Sequence, residues 1–452
     1  MNRIENFISK FDDNKAIIAV MGLGYVGLPL AVAFAEAGLK VIGFELSERK
    51  VSMINTGISD IMDVSSERLA KVVNNGHLSA TTNEKNLQLA DAIIICVPTP
   101  LTKSYEPDIS YIVNAVATIQ DNMSKNTLIV LESTTYPGTS RELLLAPLED
   151  TGWRLNDDFY ICYSPERVDP GNQQYQTENT PKVVGGIGEE SKLAGIALYS
   201  KIIQEVVPVA STEVAEMSKL LENTFRSINI AFINEMALLC EKMGIDIWET
   251  IDASSTKPFG FMRFTPGPGI GGHCIPLDPI YLSWKAKEAN FFSRFIELAQ
   301  ETNKQMPEYI IQKAGTTLNT VQKSLNGSKI LLVGMAYKEN IDDLRESPSI
   351  PIFESLQEQG AIVSFCDPLA TDFRSKDGAM HHTIPLDYAQ MAHYDLVITL
   401  TCHDLFEKDK MVEHCRLILD TKNTFAHIKS EKIVRFGDTT FRAANNATYI
   451  SI

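Results

Sequence analysis

One stretch of the chain places a thiol in a loop that is made almost wholly of glycine and proline. The sequence PGPGIGGHCIPLDP, residues 266–279, contains Cys274, and Asp278 follows four residues later. A structural cysteine normally packs in a core as a small hydrophobic side chain, but this loop has few side chains that could cover one. Because this loop offers a thiol little packing, the residues alone leave the purpose of Cys274 open at this point. We expect the other six cysteines to be structural.

Four further polar residues could act together with such a cysteine. Lys219 and Asn223, in SKLLENT, are four residues apart and would share one face of a helix. Glu166 lies in the loop YSPERVDPGN after an apolar strand, and Thr134 lies at the end of another strand, in ESTTYPGT. A lysine on a helix is ordinarily a solvated surface residue. Here the strand ends favour a site, because open α/β sheets bind ligands at that edge.

A glycine-rich turn near the N-terminus predicts a dinucleotide site. The sequence GLGYVG, residues 22–27, follows an apolar strand and opens a helix, and Glu45 ends the next strand about 20 residues later. Gly22 would permit the tight turn, Gly24 would let the backbone approach a pyrophosphate, and Gly27 would let helix and strand pack closely. Glu45 would accept hydrogen bonds from a ribose diol and repel a 2′-phosphate. The pattern therefore favours NAD over NADP.

The elements that must position these residues form two α/β ends around a helical middle. Apolar strands such as DAIIICVPTP and NTLIVLESTTYPGT alternate with helices in the first half, and SKILLVGMAYK, GAIVSFCDP, YDLVITLT and RLILDTKN do so in the second. The stretch from 212 to 251 has helical apolar spacing with no proline and one glycine, so it predicts one or two long helices. We expect an α/β fold with two Rossmann-like, doubly wound, parallel-sheet domains joined by a long central helical region.

Composition excludes several classes of protein. The chain has 452 residues, is 44% apolar and contains no run of eighteen apolar residues, so we expect no membrane span. Its first residues lack the apolar core of a signal peptide. Seven cysteines without a CxxC pair argue against a disulfide framework or a metal site and predict the cytoplasm. The net charge of −16 disfavours nucleic acid as a partner.

The ordered motifs resemble those of the UDP-glucose/GDP-mannose dehydrogenases. The matching segments are MGLGYVGLPLA, VPTP, ESTTYPGT, YSPERVDPG, KLLENTFRSINIAFINE, PGPGIGGHCIPLDP and MAYKENIDDLRESPS, and the resemblance runs from about residue 15 to about residue 426. It implies an enzyme that oxidises the C6 alcohol of a nucleotide sugar to a carboxylate with two NAD⁺. It also implies an NAD-binding domain over 1–208, a central helical domain with the cysteine loop and a dimer interface over 209–320, and a UDP-sugar-binding domain over 321–452.

The residues of the cysteine loop and of the segment RFIELAQETNKQMPEYI most resemble those of the family members that act on UDP-N-acetylhexosamines. The favoured substrate is UDP-N-acetylglucosamine, and the product would be a precursor of surface polysaccharide. UDP-N-acetylgalactosamine, UDP-N-acetylmannosamine and UDP-glucose stay open, because pocket shape sets the epimer. The resemblance also implies a homo-oligomer, at least a dimer.

The resemblance implies a role for each catalytic position. Cys274 would trap the intermediate aldehyde as a thiohemiacetal, which is oxidised to a thioester and then released by water. The implied assistants are Lys219 for the oxyanion, Asn223 for a hydrogen bond to the same oxygen, Asp278 and Thr134 for the water that carries protons, and Glu166 as general acid/base.

Further positions match the binding residues of the family. Those that would bind the cofactor are Gly22, Gly24, Tyr25, Val26, Gly27, Glu45, Lys50, Thr99, Thr134 and Arg345. Those that would bind the substrate are Glu166, Arg167, Lys219, Asn223, Arg263, Gly271, Lys338 and Lys422. Two of the positions that depart from the family pattern bear on binding. Glu45 replaces the commoner aspartate, and Lys422 stands where an arginine is usual, which turns a bidentate clamp into a point charge.

Two other classes of protein compete with this interpretation. A β-hydroxyacid dehydrogenase would need neither Cys274 nor a second α/β domain. A sensor that binds nucleotide sugars without turnover would not need to keep Cys274, Lys219, Asn223 and Asp278 together. The NADH formed per sugar separates the three hypotheses, since they predict two equivalents, one, or none.

Overall fold

A computed structural model describes residues 3–102, 104–169, 172 and 174–437. The chain divides into two compact units, the first formed by residues 1–222 with 280–291 and the second by 223–279 with 292–452. The three-domain division predicted from the sequence stays a prediction, and the end of its last domain, 438–452, lies outside the described residues. Among the described helices, none is both long enough and apolar enough to cross a membrane.

An eight-stranded sheet forms the centre of the first unit. Its strands are β1 (Ile17–Met21), β2 (Lys40–Phe44), β3 (Leu78–Thr81), β4 (Ala92–Ile95), β5 (Thr127–Leu131), β6 (Phe159–Tyr163), β7 (Lys182–Gly186) and β8 (Val206–Val209). They lie in the order β3-β2-β1-β4-β5-β6-β7-β8. The first six pair in parallel, β7 is antiparallel to β6, and β8 is parallel to β7.

Helices cover both faces of this sheet. They are α1 (Arg3–Asp12), α2 (Gly27–Glu36), α3 (Glu48–Asn55), α4 (Ser66–Asn74), α5 (Ser110–Asn122), α6 (Ala146–Asp150) and α7 (Glu189–Tyr199), with a 3₁₀ helix at Glu84–Leu89 and a π-helical turn at Ser140–Leu145. Alternate residues of β1 enter different cores. Ile18 and Val20 belong to one buried cluster, and Ala19 and Met21 belong to another. Burial on both faces explains why the parallel strands are continuous apolar runs.

Four helices follow in the middle of the chain. They are α8 (Thr212–Met243), α9 (Ile247–Ser255), α10 (Asp278–Glu288) and α11 (Arg294–Asn319). Gly244 adopts a φ of +77° just after α8, where its missing side chain permits the left-handed turn. Asp246 then caps α9, because its carboxylate accepts a hydrogen bond of 2.7 Å from the Trp248 amide. The prediction of one or two long helices over 212–251 is confirmed as two.

The second unit contains a five-stranded parallel sheet. Its strands are β9 (Lys329–Val333), β10 (Ile362–Cys366), β13 (Leu396–Thr399), β14 (Ile418–Asp420) and β15 (Ile433–Arg435), in the order β10-β9-β13-β14-β15, and β11 (Asp372–Arg374) pairs with β12 (Met380–His382) as a separate hairpin. The helices of this part are α12 (Ser349–Glu358), α13 (Tyr388–Met391) and α14 (Lys408–His414). The predicted Rossmann-like class is confirmed, with the antiparallel β7 as an addition that the sequence did not predict.

The acid at the end of β10 has a structural role that differs from the role predicted for Glu45. Asp367 is fully buried, and one carboxylate oxygen accepts hydrogen bonds of 2.7 and 3.1 Å from the amides of Met335 and Ala336, in the turn after β9. His403 donates to the same oxygen through Nε2 at 3.1 Å, since its Nδ1 accepts from the Asn340 amide. This carboxylate therefore occupies the backbone donors that a glycine-rich turn would offer to a phosphate.

We expect Asp367→Ala to destabilise the protein strongly. The substitution leaves buried amides without acceptors, at a cost of about 1–3 kcal/mol for each, so the apparent melting temperature should fall by about 5 °C or more. Thermal unfolding at pH 7 measures the effect. Asp372→Ala removes an exposed carboxylate from β11 and is the matched control, which should melt close to the parent. Equal melting temperatures for the two variants would contradict this account.

Candidate functional site

The glycine-rich turn of the first unit has the shape that a dinucleotide needs. Gly22 adopts a φ of +89°, and a Cβ built on it would lie 2.6 Å from the Cys96 carbonyl oxygen. A Cβ on Gly24 would meet no described atom within 4 Å, so open space lies next to the backbone at this point. α2 begins at Gly27, no described side chain caps its N-terminus, and the N-terminus of a helix favours an anion. These residues fit the predicted pyrophosphate site.

Three residues predicted to contact the cofactor are engaged with their own unit. The Glu45 carboxylate accepts hydrogen bonds from the amides of Leu46 at 2.9 Å and Leu23 at 3.4 Å. It therefore ties the end of β2 to the glycine-rich turn and keeps lone pairs for a ribose diol. The Lys50 ammonium lies 3.4 Å from the Asp60 carboxylate. Thr99 is buried, and its carbonyl oxygen accepts 2.9 Å from the Tyr281 hydroxyl of α10.

The carboxyl edge of the sheet brings several predicted residues together. Thr134 follows β5, and its hydroxyl has no hydrogen-bond partner among the described residues. Glu166 follows the neighbouring strand β6, and its carbonyl oxygen accepts 2.5 Å from the buried Lys219 ammonium of α8. Parallel strands end at one edge, which explains why residues far apart in sequence meet here.

The Glu166 carboxylate is held in its ionised form. Its Oε1 accepts hydrogen bonds from the amides of Arg167 at 2.8 Å and Val168 at 2.7 Å, and its Oε2 lies 3.6 Å from the Lys182 ammonium. Burial favours the neutral acid, but Lys182, these amides and the charge of Lys219 outweigh it and hold the pKa of Glu166 below its usual value. A carboxylate in this state can accept a proton but is a poor acid.

Arg167, which was predicted to bind substrate, is bound within the first unit. Its guanidinium donates to the Glu222 carboxylate at 2.9 and 3.2 Å and to the Pro181 carbonyl oxygen at 2.7 Å. We find that these bonds fix the loop after β6 against the start of β7. Arg167 therefore orders the loop that carries Glu166.

In the second unit, the predicted cysteine lies in a loop just before α10. The carbonyl oxygen of Cys274 accepts hydrogen bonds from the amides of Leu277 at 3.2 Å and Asp278 at 2.9 Å. Asp278 is buried, and Asn223 of α8 donates 2.5 Å to its carboxylate. The structure thus connects Cys274, Asp278 and Asn223 within one hydrogen-bonded corner. All seven cysteines lie in the described part of the chain and are thiols rather than disulfides.

The glycines before Cys274 have a packing role that the sequence did not reveal. Gly272 adopts a φ of +83°, and a Cβ on it would lie 2.8 Å from the Tyr337 ring. A Cβ on Gly271 would lie 2.5 Å from the Tyr337 Cβ and 2.9 Å from the Glu346 carbonyl oxygen. Any larger residue would push the loop away from the segment after β9.

A buried amide chain that the sequence analysis missed holds the other end of this loop. The Gly267 amide donates 3.0 Å to Asn234 Oδ1, and Asn234 Nδ2 donates 3.0 Å to Asn303 Oδ1. Asn303 in turn donates 3.1 Å to the Ser227 carbonyl oxygen of α8. Both asparagines are buried. An amide on an otherwise apolar helix face was the available signal, but its partner could not be read from the sequence.

The remaining predicted substrate residues lie in the second unit. Lys422 is mostly buried with its stem 3.6 Å from a Cβ built on Gly267, and burial lowers the pKa of its ammonium. Asp420, itself fully buried, orders the Lys422 loop by accepting a hydrogen bond of 3.2 Å from the Lys422 amide.

Lys338 follows the turn after β9. Arg345, predicted to bind the cofactor, pairs with Asp343 through two nitrogens, and Arg263 pairs with Asp252 at 2.6 Å.

A metal centre is not apparent in the part of the chain that the structure describes. No group of three or more histidine, cysteine, aspartate or glutamate residues there could hold an ion. The site chemistry that these residues offer is therefore a thiol, a lysine ammonium, an amide and carboxylates.

Comparisons with known proteins find matches along most of the chain. Models of the UDP-glucose/GDP-mannose dehydrogenase family match the chain in three parts, with its NAD binding domain at residues 16–203, its central domain at 213–305 and its UDP binding domain at 331–427. The first match confirms NAD as the predicted cofactor.

Similar proteins act on two related sugars. The chain is 34% identical over 423 residues to the UDP-N-acetyl-D-mannosamine dehydrogenase of Methanococcus maripaludis, which covers 91% of this chain and 93% of that protein. It is 35% identical over 394 residues to the UDP-N-acetyl-D-glucosamine 6-dehydrogenase of Pseudomonas aeruginosa, with 86% and 91% covered. The solved UDP-D-ManNAc dehydrogenase of Pyrococcus horikoshii matches with a TM-score of 0.85 and 31% identity, over 94% of this chain and 99% of that one.

We expect Asn234→Ala to loosen the loop that carries Cys274. The substitution leaves the Gly267 amide and the Asn303 oxygen unpaired in a buried place, at a cost of about 1–3 kcal/mol each. Alkylation of Cys274 by iodoacetamide, followed by peptide mass spectrometry, should then change in rate by severalfold. Asn229→Ala removes a hydrogen bond to the Phe225 carbonyl within α8 and serves as the control. If both variants are alkylated like the parent, the amide chain does not set the loop.

Proposed function

Because this chain belongs to the UDP-glucose/GDP-mannose dehydrogenase family, we propose that it oxidises the C6 alcohol of a UDP-N-acetylhexosamine to the uronic acid, with two NAD⁺ per sugar. The preferred substrate is UDP-N-acetylglucosamine. The observation that carries the proposal is the corner formed by Cys274, Asp278 and Asn223, in which the Asp278 amide donates to the Cys274 carbonyl oxygen and the buried Asp278 carboxylate accepts from Asn223. A β-hydroxyacid dehydrogenase or a sensor has no need of this corner.

The first oxidation converts the C6 alcohol to an aldehyde. The turn at residues 22–27 and Glu45 would hold NAD⁺, which would supply the hydride acceptor for both oxidations. Lys219 stabilises the alkoxide, since a fixed cation beside developing negative charge lowers the barrier. Thr134, whose hydroxyl has no described partner, and Asp278 hold the water that takes the proton.

The covalent stage keeps the aldehyde from escaping. The Cys274 sulfur adds to the aldehyde carbon, and the oxygen takes up a proton as the thiohemiacetal forms. Loss of the second hydride and of the hydroxyl proton then gives a thioester on Cys274. Asn223 supports the oxygen through a hydrogen bond in each of these steps.

Hydrolysis of the thioester releases the product. Water attacks the thioester carbon, the C–S bond breaks, and Cys274 regains its proton. We assign Glu166 as the base that takes a proton from this water. Its lowered pKa supports a base that is already ionised at neutral pH, rather than an acid.

We assign binding of the negatively charged UDP-sugar to residues of the second unit. Lys338 and Lys422 supply positive charge for the diphosphate, and Arg263 and Gly271 complete the proposed set. The lowered pKa of Lys422 makes its charge sensitive to pH, because the ammonium is lost below the usual lysine range as pH rises. Substrate affinity should therefore weaken at alkaline pH.

A second substrate, UDP-N-acetylmannosamine, is favoured by specific relatives. The Methanococcus protein and the Pyrococcus structure are both named for that sugar. The two sugars differ at one carbon, and the identities of 34–35% support the UDP-N-acetylhexosamine class without separating its members.

A panel of nucleotide sugars tests the function. The purified protein is incubated with NAD⁺ and each of UDP-glucose and the UDP-N-acetyl sugars of gluco, galacto and manno configuration, and NADH and the acid are quantified. We expect two NADH per UDP-N-acetylglucosamine. One NADH per sugar, or none with any sugar, would contradict the proposal, and faster turnover of the manno sugar would favour the second substrate.

We expect Cys274→Ser to abolish accumulation of the acid. A serine hydroxyl is hardly ionised at neutral pH, whereas a free thiol is a few per cent thiolate, so the first oxidation should survive in part and the second should fail by about 10²-fold or more. Product mass spectrometry with NADH measurement follows both steps. Cys240→Ser on α8 is the control and should turn over like the parent. Steady formation of the acid by Cys274→Ser would exclude Cys274 as the nucleophile.

We also propose that the protein forms at least a dimer and works in the cytoplasm. The compartment is inferred from the seven thiols. The dimer is inferred from α8, which exposes large apolar side chains at intervals of three, four or seven residues, as expected for a stripe along one face. These side chains are Val214, Met217, Leu221, Phe225, Phe232, Leu239 and Met243.

Light scattering at micromolar concentration tests this assembly. We expect a dimer for the parent and a shift towards monomer for Phe232→Glu, because a charge would be buried at the interface. Leu405→Glu places the same charge on an exposed apolar residue outside α8 and should leave the dimer intact. A monodisperse parent monomer would contradict the proposal.

A further inference from the structure

Three charged residues form a buried cluster at the carboxyl edge of the first sheet. We call Glu132, Glu166 and Lys182 the edge cluster. Glu132 follows β5 and its side chain is fully buried, and that of Lys182, the first residue of β7, is 5% exposed. The Lys182 ammonium pairs with the Glu132 carboxylate and lies 3.6 Å from Glu166 Oε2. Buried charges are costly unless they are paired and hydrogen-bonded, so this arrangement needs an explanation.

The antiparallel strand β7 brings the lysine to this edge. Cys162 pairs with Gly186 and Tyr163 with Gly185. Continuing that register past the paired residues sets Lys182 opposite Glu166. A parallel β7 would have begun at the other edge of the sheet, so its reversed direction is what places the start of this strand beside Glu166.

Lys182 also contacts residues that have no role in the proposed reaction. The Tyr199 hydroxyl of α7 donates 3.2 Å to Glu132, and the Tyr199 ring lies 4.9 Å from the Lys182 ammonium. The Pro165 carbonyl oxygen accepts 3.3 Å from the same ammonium. The thiol of Cys96, at the end of β4, lies 3.9 Å from Glu132. The position of the ammonium is therefore fixed by strands, a helix and a loop.

The surroundings of Glu166 contain a small set of other charges. Lys219 of α8 donates to its carbonyl oxygen, and Arg167, next in the chain, is paired with Glu222 of α8. Glu132 is another carboxylate close by, and its charge and that of Glu166 repel each other directly. A small cavity beside the pair is lined by Pro165, Glu166, Arg167, Thr180, Pro181 and Lys182. Lys182 is thus the cation nearest to the carboxyl oxygens of Glu166 in the contacts that the structure gives it.

We propose that Lys182 is a positioning residue that holds the Glu166 carboxylate in place and ionised for thioester hydrolysis, and that Glu132 anchors the Lys182 ammonium. The inference rests on the proposed role of Glu166 as base. Lys182 touches neither the substrate nor the reacting atoms. It acts on the reaction through the charge that it presents to Glu166.

The charges of the edge cluster agree with this division of roles. Burial opposes the charge of Lys182, but Glu132 and Glu166 outweigh it and raise the lysine pKa. Burial raises the pKa of Glu132, whereas the pKa of Glu166 is lowered. Loss of the ammonium should therefore raise the pKa of Glu166, and loss of the Glu132 charge should not.

The test follows the decay of the Cys274 thioester against pH. The full-length protein is loaded with UDP-N-acetylglucosamine and NAD⁺, quenched at intervals between pH 4.5 and 8, and the acyl-enzyme is measured by mass spectrometry. An opposite charge within 4–6 Å shifts a carboxyl pKa by about 1–3 units. Hydrolysis slows at low pH when Glu166 takes up a proton, and we call this part of the rate profile the acid limb. In Lys182→Met, the midpoint of the acid limb should rise by about one pH unit or more.

Two further variants separate charge from damage to the fold. Lys182→Arg keeps the cation and should keep the acid limb of the parent. Glu132→Gln keeps an oxygen that can accept from the Lys182 ammonium and removes only the competing charge, so its limb should lie at or below that of the parent. Lys192→Met removes an exposed ion pair with Glu189 on α7 and should change nothing.

Each outcome decides the inference. An unchanged limb in Lys182→Met, an upward shift in Lys182→Arg, or an upward shift in Glu132→Gln would overturn it. If Lys182→Met does not fold, Lys182→Arg and Glu132→Gln still decide by the same criteria. If the parent forms neither NADH nor acyl-enzyme with any UDP-sugar, the proposed function fails instead. Titration of Glu166 by carboxyl-carbon NMR, assigned with Glu166→Gln, then tests the coupling without turnover.

Discussion

A buried carboxylate must find hydrogen-bond donors inside the protein, and this requirement fixes the loops at the carboxyl ends of both sheets. Asp367 gathers the turn after β9, and Asp420 gathers the loop that carries Lys422 through its amides and those of Thr424 and Phe425. Glu166 does the same on a smaller scale with the two amides that follow it. The proposed chemistry depends on loops, and each of these carboxylates holds its loop in one conformation by accepting hydrogen bonds from several of the loop's amides.

The two acids that end equivalent strands show how one motif can serve two purposes. Glu45 and Asp367 each follow the second strand of a Rossmann-like sheet, and each accepts amides from the turn after the first strand. Glu45 makes one long bond to that turn and leaves the space beside Gly24 open. Asp367 makes two, together with a bond from His403. The same sequence pattern, a strand that ends in glycine and a next strand that ends in an acid, therefore forms a predicted ligand site in one sheet and a closed structural turn in the other.

Local patterns predicted much of this molecule. The glycine-rich turn, several strands of each sheet and the helices over 212–251 were predicted because each depends on residues that are close in sequence. The edge cluster was not predicted, because the pairing of Lys182 with Glu132 spans fifty residues and depends on the reversed direction of β7. The amide chain from Gly267 through Asn234 to Asn303 was missed for the same reason. Gly271 was predicted as a site residue, but the Tyr337 contact that requires a glycine there is seen only in the folded structure.

The closed turn after β9 has a consequence for how the two sheets respond to solvent. The amides of Met335 and Ala336 are bonded to a fully buried carboxylate, so they exchange their hydrogens with deuterium only when this region of the protein opens. The space beside Gly24 is open, so a dinucleotide bound there should slow the exchange of the amides that it covers. Exchange at the turn around Gly24 therefore reports whether a dinucleotide is bound. Exchange of the Met335 and Ala336 amides provides an internal reference that this binding leaves unchanged.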